Sequence, residues 1–348
     1  MARRRQENAE DLDLGFDLDS DMPPPTVCSP VDFEILDKLN KDIRTAARAL
    51  GRRQVAELCK VYYDLQKLRI ATGNQAKSKG DANAPNQVPS WFAEQFMKLE
   101  NDIKRMLLEY VNVYAVGRWA MSVCGIGPVI AAGLITHVDI TKAPTVGHIW
   151  SFAGLLSNIV WEKGQKRPYN ATLKTLCAFK LGESLVKVQS RPSDVYGKLY
   201  ADRKRFEWAR NKTGYNVGRC AEILSSKRWD KTTDAYAWYS GKITLEALAE
   251  WEALDATRRV DFVKRKAVGE GEGLPMLPPA HIHAMARRWA VKLFLSHYHH
   301  VAFVDYHQCD PPKPYIFEHQ PPGSDHRHLI SPPNFPWSGG GKSLREMT

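Results

Sequence analysis

The segment from Ser122 to Thr136 restricts the fold of this chain more than any other stretch of its sequence. Gly125 and Gly127 stand on either side of one residue, and a proline follows them, as suits the first turn of a helix, where a missing N–H costs nothing. Residues 131–133 are then alanine, alanine and glycine, which allow another element to approach closely. The pattern predicts a helix that ends, a tight glycine turn, and a second, closely packed helix.

Such a turn also directs backbone N–H groups outward at the start of a helix, where they can bind an anion. The arrangement matches a helix-hairpin-helix motif, whose usual ligand is a nucleic-acid phosphate. Two interpretations stay open from the motif alone. Gly125 and Gly127 contact a phosphate, or they only form a tight turn between packed helices.

Helical periodicity dominates the N-terminal third of the chain. Apolar side chains recur at steps of three and four residues over 31–72 and again over about 90–116, with a polar connection at 73–89. Two long helices joined by one loop predict an antiparallel helical hairpin, which often dimerises through its exposed apolar surface. No segment alternates as a strand does, so the predicted fold class is mainly α.

The charge of the chain favours a polyanionic partner. The net charge is +10, and between Arg167 and Lys231 there are 15 basic residues against 6 acidic ones. Aromatic residues among these cations can stack on bases, although a solvated basic face is the alternative. The predicted nucleic-acid-binding residues are Lys163, Lys166, Arg167, Tyr169, Asn170 and Lys174 in a loop, and Lys198, Arg203, Lys204, Arg205, Trp208 and Arg210 on a helix.

No pattern of catalytic or metal-binding residues stands out in the sequence. There is no Walker A motif, no nucleophile elbow and no CxxC pair, so no cofactor is predicted. Nine of the eleven histidines lie between His281 and His328, but their spacing does not suit a metal site. The segment from Asp325 to His328 resembles the start of an HNH nuclease, yet no histidine follows Asn334 to complete one. We therefore predict a protein that is not an enzyme.

The sequence has neither the apolar run of a signal peptide nor a stretch long and apolar enough to span a membrane. The scattered cysteines suit a reducing compartment. We expect a cytoplasmic location, in a prokaryotic or phage-infected cell, and no membrane partner.

The order of several short motifs carries a family resemblance. Cys124-Gly-Ile-Gly-Pro is followed by Thr145-Val-Gly-His-Ile-Trp-Ser-Phe-Ala-Gly-Leu, a Lys-Gly pair and then Tyr196 and Tyr200. This order resembles the C-terminal domain of bridge-RNA-guided insertion-sequence transposases, over about 32–202 and again over 280–304. Two departures stand out: only a short tail precedes the hairpin where those proteins carry a RuvC-like domain, and Lys163 precedes Gly164 where they carry the recombinase serine.

The same core is similar to the Nop domain of box C/D small nucleolar ribonucleoproteins and to TIGR-associated (Tas) proteins of the nuclease-free kind. This resemblance implies a homodimer, formed through a coiled coil, that holds a short guide RNA along the basic surface and recognises target DNA by base pairing of the guide. Two alternatives stay open: a transposase or recombinase of the bridge-RNA-guided type, and a plain helix-hairpin-helix DNA-binding protein.

The predicted organisation follows from these patterns and from the resemblance together. It comprises a disordered tail at 1–30, a coiled-coil helical hairpin at 31–118, a Nop-like RNA-binding domain at 119–211, an insertion at 212–279, a helix at 280–304 that closes the Nop-like domain, and an extended Pro- and His-rich tail at 305–348.

Overall fold

A computed structural model describes residues 41–78, 87–156, 161–254, 259, 273–313, 319 and 330–347. Within these ranges the chain is mainly helical and forms no β-strand; an isolated bridge joins Tyr114 to Lys342. The predicted mainly α fold class is therefore confirmed. The predicted tail at 1–30 lies outside the described residues.

Short and long helices make up most of the described chain. The α-helices are α1 (Lys41–Arg48), α2 (Arg52–Ser78), α3 (Gln87–Val111), α4 (Ala115–Ser122), α5 (Pro128–His137), α6 (Val146–Phe152), α7 (Ala171–Thr175), α8 (Gly182–Lys187), α9 (Tyr196–Lys212), α10 (Val217–Ser225), α11 (Asp234–Tyr239), α12 (Leu245–Ala253) and α13 (Pro279–His307). A π-helical stretch, Leu176–Leu181, joins α7 to α8. None of the described helices is long and apolar enough to cross a bilayer.

Helices α2 and α3 pack side by side as a helical hairpin. The segment that runs from the end of α1 through α2 is antiparallel to α3, because Arg48 of α1 bonds to Glu109 whereas Arg69 of α2, farther along the chain, bonds to Glu100. The first predicted helix is interrupted: α1 ends at Arg48 and α2 begins at Arg52. The packing of α2 against α3 is thus observed, while the coiled-coil hairpin and its dimer stay predictions.

Helix α5 lies at the centre of the main core. Every residue from Val129 to Ile135 is buried, so the helix is enclosed on all sides, as its nearly uniform apolar sequence requires. Ala131 and Ala132 are fully buried, and a Cβ added at Gly133 would lie 2.6 Å from a methyl group of Leu176. The predicted close packing of this small-residue helix is confirmed.

The predicted insertion folds onto the main body through a small apolar cluster. Trp238, Ile243, Leu248 and Met276 form this cluster, and Trp208 of α9 packs against it. The predicted tail at 305–348 is described at 305–313, 319 and 330–347. Helix α13 continues into it as far as His307, whereas residues 330–347 are largely irregular and dock on the body. The Trp119 indole N–H, for example, donates to the Pro333 carbonyl at 2.8 Å.

The start of α9 lies so close to the backbone at the end of α8 that only glycine fits at position 197. A Cβ at Gly197 would lie 2.6 Å from the Leu185 carbonyl oxygen and 2.8 Å from the Gln189 Cα. Gly197→Ala is expected to lower the free energy of unfolding by about 2–3 kcal/mol, because backbone atoms must shift. The matched variant Gly218→Ala, in α10 with no atom within 4 Å, should instead add up to about 1 kcal/mol. Denaturant unfolding of both checks this, and equal effects would contradict it.

Candidate nucleic-acid interface

The basic loop before α7 presents its cations to solvent. Lys163, Lys166 and Arg167 are all exposed, and no atom lies within 4 Å of a Cβ added at Gly164. The Arg167 guanidinium carbon lies 5.1 Å from the centre of the Trp161 ring. The loop therefore offers positive charge beside an aromatic face, which is the combination found on protein surfaces that bind nucleic acid.

Three other predicted contact residues also hold this loop in place. The backbone N–H of Asn170 donates to the Phe152 carbonyl at 2.8 Å, and its side-chain oxygen accepts from the Leu173 N–H at 3.0 Å as the N-cap of α7. The Lys174 ammonium lies 4.2 Å from the centre of the Tyr169 ring. Asn170, Tyr169 and Lys174 thus have structural roles, and their contact with RNA stays a prediction.

The cations of α9 differ in how they are held. The Lys198 ammonium donates to the Pro192 carbonyl at 2.8 Å, and Arg205 pairs with Asp202, one turn earlier. Lys204 is exposed beside them. The predicted basic helix is therefore partly neutralised by its own carboxylates.

Glu207 is the buried centre of a second charge group on α9. Its side chain is 2% exposed, and its carboxylate pairs with Arg203 at 2.5 Å and with Arg210 at 3.6 Å. These two arginines, both predicted as RNA-binding, are thereby fixed in orientation.

Trp208 is predicted from the sequence to stack on RNA, but its ring lies in a protein cluster. Its centre is 6.0 Å from the Trp238 ring and 5.7 Å from the Trp251 ring. Its indole N–H donates to Glu252 at 2.6 Å, and this bond is the main cause of the lowered pKa of Glu252. The side chain therefore attaches the inserted helices to α9, and its stacking on RNA stays a prediction.

The glycine turn is built as the sequence predicts. Gly125 has φ of +92°, which favours glycine, and its carbonyl accepts a hydrogen bond from the Ser184 hydroxyl of α8. Gly127 is the N-cap of α5, in an extended conformation with open space beside its Cα. Gly125 thus joins the turn to α8, and both glycines line a groove.

That groove, which we call the lysine groove, has a volume of about 500 Å³. Its cations come from separate elements, Lys104 from α3, Lys180 from the π-helical stretch and Lys187 from α8, and the N-terminus of α5 opens into it. Burial, together with the charges of Lys67 and Lys187, lowers the pKa of Lys180. The groove thus places positive charge beside the free N–H groups of a helix N-terminus, an arrangement that suits an anion.

Sequence reasoning found the glycine turn but missed these three lysines. Lys180 is held in place by Gln66, whose side-chain oxygen accepts from its ammonium at 3.3 Å, and by the Tyr63 ring, 4.4 Å away. Its partners thus lie on α2, more than a hundred residues earlier in the chain. No local pattern in the sequence signals such a meeting.

A second group of cations on α13 was also missed. Burial and the charges of Arg219 and Arg287 lower the pKa of Arg288. Burial and Arg288 likewise lower the pKa of Lys292, whose ammonium lies 5.0 Å from the Trp150 ring centre. Positively charged side chains thus lie close together on this helix as well.

The histidines of α13 serve the packing of the protein. The Nε2–H of His297 donates to the Ile330 carbonyl at 2.7 Å, so its Nδ1 accepts from the Tyr196 hydroxyl at 2.6 Å. His299 is bonded through Nε2 to the Ala143 carbonyl at 2.8 Å. Among the described residues, no three His, Cys, Asp or Glu side chains come together in a way that could hold a metal ion.

His297 makes stability dependent on pH. Burial lowers its pKa from 6.5 to about 4, so the unfolded chain takes up a proton at a pH where the folded chain does not. The free energy of unfolding should therefore fall as pH drops from about 6.5 toward about 4, by about 1.4 kcal/mol per pH unit for this group. In His297→Gln, the slope of unfolding free energy against pH should fall by the equivalent of one proton, as measured by urea unfolding at a series of pH values. An unchanged slope would contradict this assignment.

Comparison of the chain with protein-family models, with curated proteins and with solved structures finds no match.

Proposed function

We propose that this protein binds RNA, and that it holds a short guide RNA as a homodimer and recognises target DNA through that guide, without a nuclease of its own. The observation that carries the proposal is the lysine groove, where Lys104, Lys180 and Lys187 meet the N-terminus of α5. The guide, the target DNA and the dimer come from the resemblance to nuclease-free Tas proteins.

The electrostatics of the groove support a polyanion as the ligand. Burial, and then repulsion from the charges of Lys67 and Lys187, disfavour the charged form of Lys180 and lower its pKa. A phosphate bound between these side chains would remove that repulsion and accept charge-assisted hydrogen bonds. The same reasoning applies to Arg288 and Lys292 on α13.

Exposed apolar side chains on the hairpin support the proposed dimer. Leu68, Ile70 and Leu99 are each about half exposed, as are Val61 and Met97. A surface of this kind is commonly covered by a partner, and a second copy of the hairpin is the partner that the resemblance implies. Sedimentation equilibrium measures the mass directly, and a monomer at micromolar concentration would contradict the dimer.

The RNA proposal is tested on protein purified from its native host or from cells that express its genomic neighbourhood. Short RNA is expected to copurify and to be released by RNase, with a drop in the ratio of absorbance at the nucleic-acid and protein maxima. Sequencing that RNA would reveal the guide. Duplex DNA binding by RNA-free protein at physiological salt would instead favour a plain DNA-binding protein, and strand cleavage would favour an enzyme.

A further inference from the structure

A row of alternating aromatic and guanidinium groups runs along α9. The Arg203 guanidinium carbon lies 5.5 Å from the Trp289 ring centre and 5.2 Å from that of Phe206. The Arg210 guanidinium carbon lies 5.1 Å from the Phe206 ring centre and 3.5 Å from that of Tyr215. We call Trp289, Arg203, Phe206, Arg210 and Tyr215 the aromatic–arginine row.

The protein fixes this row before any ligand arrives. The buried Glu207 carboxylate holds both guanidinium groups from below. After α9 ends, Gly214 takes φ of +82°, and the turn brings the N–H of Tyr215 to the Arg210 carbonyl at 3.3 Å. The turn thereby places the Tyr215 ring against the guanidinium group of Arg210. Such rigidity reduces the conformational entropy that binding would cost.

Two rings of the row, Phe206 on α9 and Tyr215 in the turn after it, are exposed to solvent. Phe206 is 47% exposed and Tyr215 is 67% exposed, which leaves apolar ring surface uncovered. The row also carries little net charge for its size, because Glu207 offsets one of the two arginines. A ligand that matches it therefore supplies flat faces more than negative charge, which distinguishes the row from the lysine groove.

We propose that the aromatic–arginine row is a stacking site for unpaired nucleotide bases, with Phe206 and Tyr215 as the rings that the bases cover. Single-stranded RNA is the ligand that the observations favour, and this inference rests on the proposed RNA-binding function. Bases stack on aromatic rings and on guanidinium planes alike, and they do so with little regard to sequence. Glu207 holds the two guanidinium groups of this site in place.

The test compares variants that lose a ring with variants that keep it. Phe206→Leu and Tyr215→Leu keep an apolar side chain but cannot stack, whereas Phe206→Tyr and Tyr215→Phe can. The probes are an adenine-only RNA strand about a dozen nucleotides long, the same strand with one 2-aminopurine, its DNA counterpart, and an RNA duplex of equal length. Affinity is measured at several salt concentrations by fluorescence anisotropy, and melting temperature checks that each variant is folded.

Each leucine variant is expected to bind the single strand about tenfold more weakly, while duplex binding and the salt slope stay unchanged, because stacking releases no counterions. The ring-keeping variants should bind like the wild type and should quench 2-aminopurine as it does.

A shallower salt slope together with an equal decrease in duplex affinity would mean that the row contacts the backbone, and the inference fails. Leucine variants that bind like the wild type also overturn it, but leave RNA binding intact. If the wild type binds no RNA of any form, the proposed function itself fails. Equal effects on the DNA strand would support stacking on unpaired bases of either sugar.

Discussion

Reversing two charges in the lysine groove is expected to weaken RNA binding by on the order of a hundredfold. Lys180→Glu with Lys187→Glu removes two cations from beside the α5 N-terminus, and a hydrogen bond to a charged group contributes about 1.5–3 kcal/mol. The slope of log affinity against log salt concentration should also become shallower, by about 0.7 for each phosphate of a single strand that the protein no longer neutralises. Anisotropy titrations at several salt concentrations give both quantities.

The matched control reverses the same number of charges at a distance from the groove. Arg53 and Lys142 are 93% and 83% exposed, and Lys142 follows the opposite end of α5. Arg53→Glu with Lys142→Glu changes net charge equally, so it should reduce affinity only through the general field of the protein. The neutral pair Lys180→Gln with Lys187→Gln should lie between the wild type and the reversal. If the groove and control pairs weaken binding equally, the groove is not where phosphate binds.

Local sequence patterns were sufficient for the elements that local forces determine. The spacing of apolar residues located α2 and α3, because one face of each helix must pack against the body. The Gly-Ile-Gly-Pro stretch located the turn before α5, because only a positive φ at Gly125 permits it. The break between α1 and α2, by contrast, lies within a periodic stretch and was missed, although Gly51 precedes α2 there.

The candidate site was only partly predictable, because it depends on distant parts of the chain. Lys104 and Lys187 line one groove although 83 positions of sequence separate them, and each alone resembles any surface lysine. The packing of Trp208 was likewise not predictable from its own helix. The side chain lies among arginines on a basic helix, but Trp238 and Trp251, which cover it, belong to the segment that looked like an insertion. Burial by such a segment leaves no signal within the helix itself.

Helix α9 also shows why the charges of a basic helix are not interchangeable. Arg203 and Arg205 are two residues apart and each pairs with a carboxylate on the same helix, but the partners differ in burial. Glu207 is 2% exposed, whereas the side chain of Asp202 is 59% exposed. A solvent-exposed ion pair adds little stability, whereas a buried carboxylate that loses its partner is strongly unfavourable.

Arg203→Met is therefore expected to lower the free energy of unfolding by about 3 kcal/mol, near the low end for a broken buried pair, because Arg210 remains 3.6 Å from the carboxylate. Arg205→Met, the matched change on the exposed pair, should cost less than about 1 kcal/mol. Arg203→Met with Glu207→Gln should recover part of the stability, since no buried charge is left without its partner. Urea unfolding of the three variants measures these differences. Equal costs for the two arginines, or no recovery in the double variant, would mean that Glu207 does not organise α9, and with it the aromatic–arginine row would lose its rigid base.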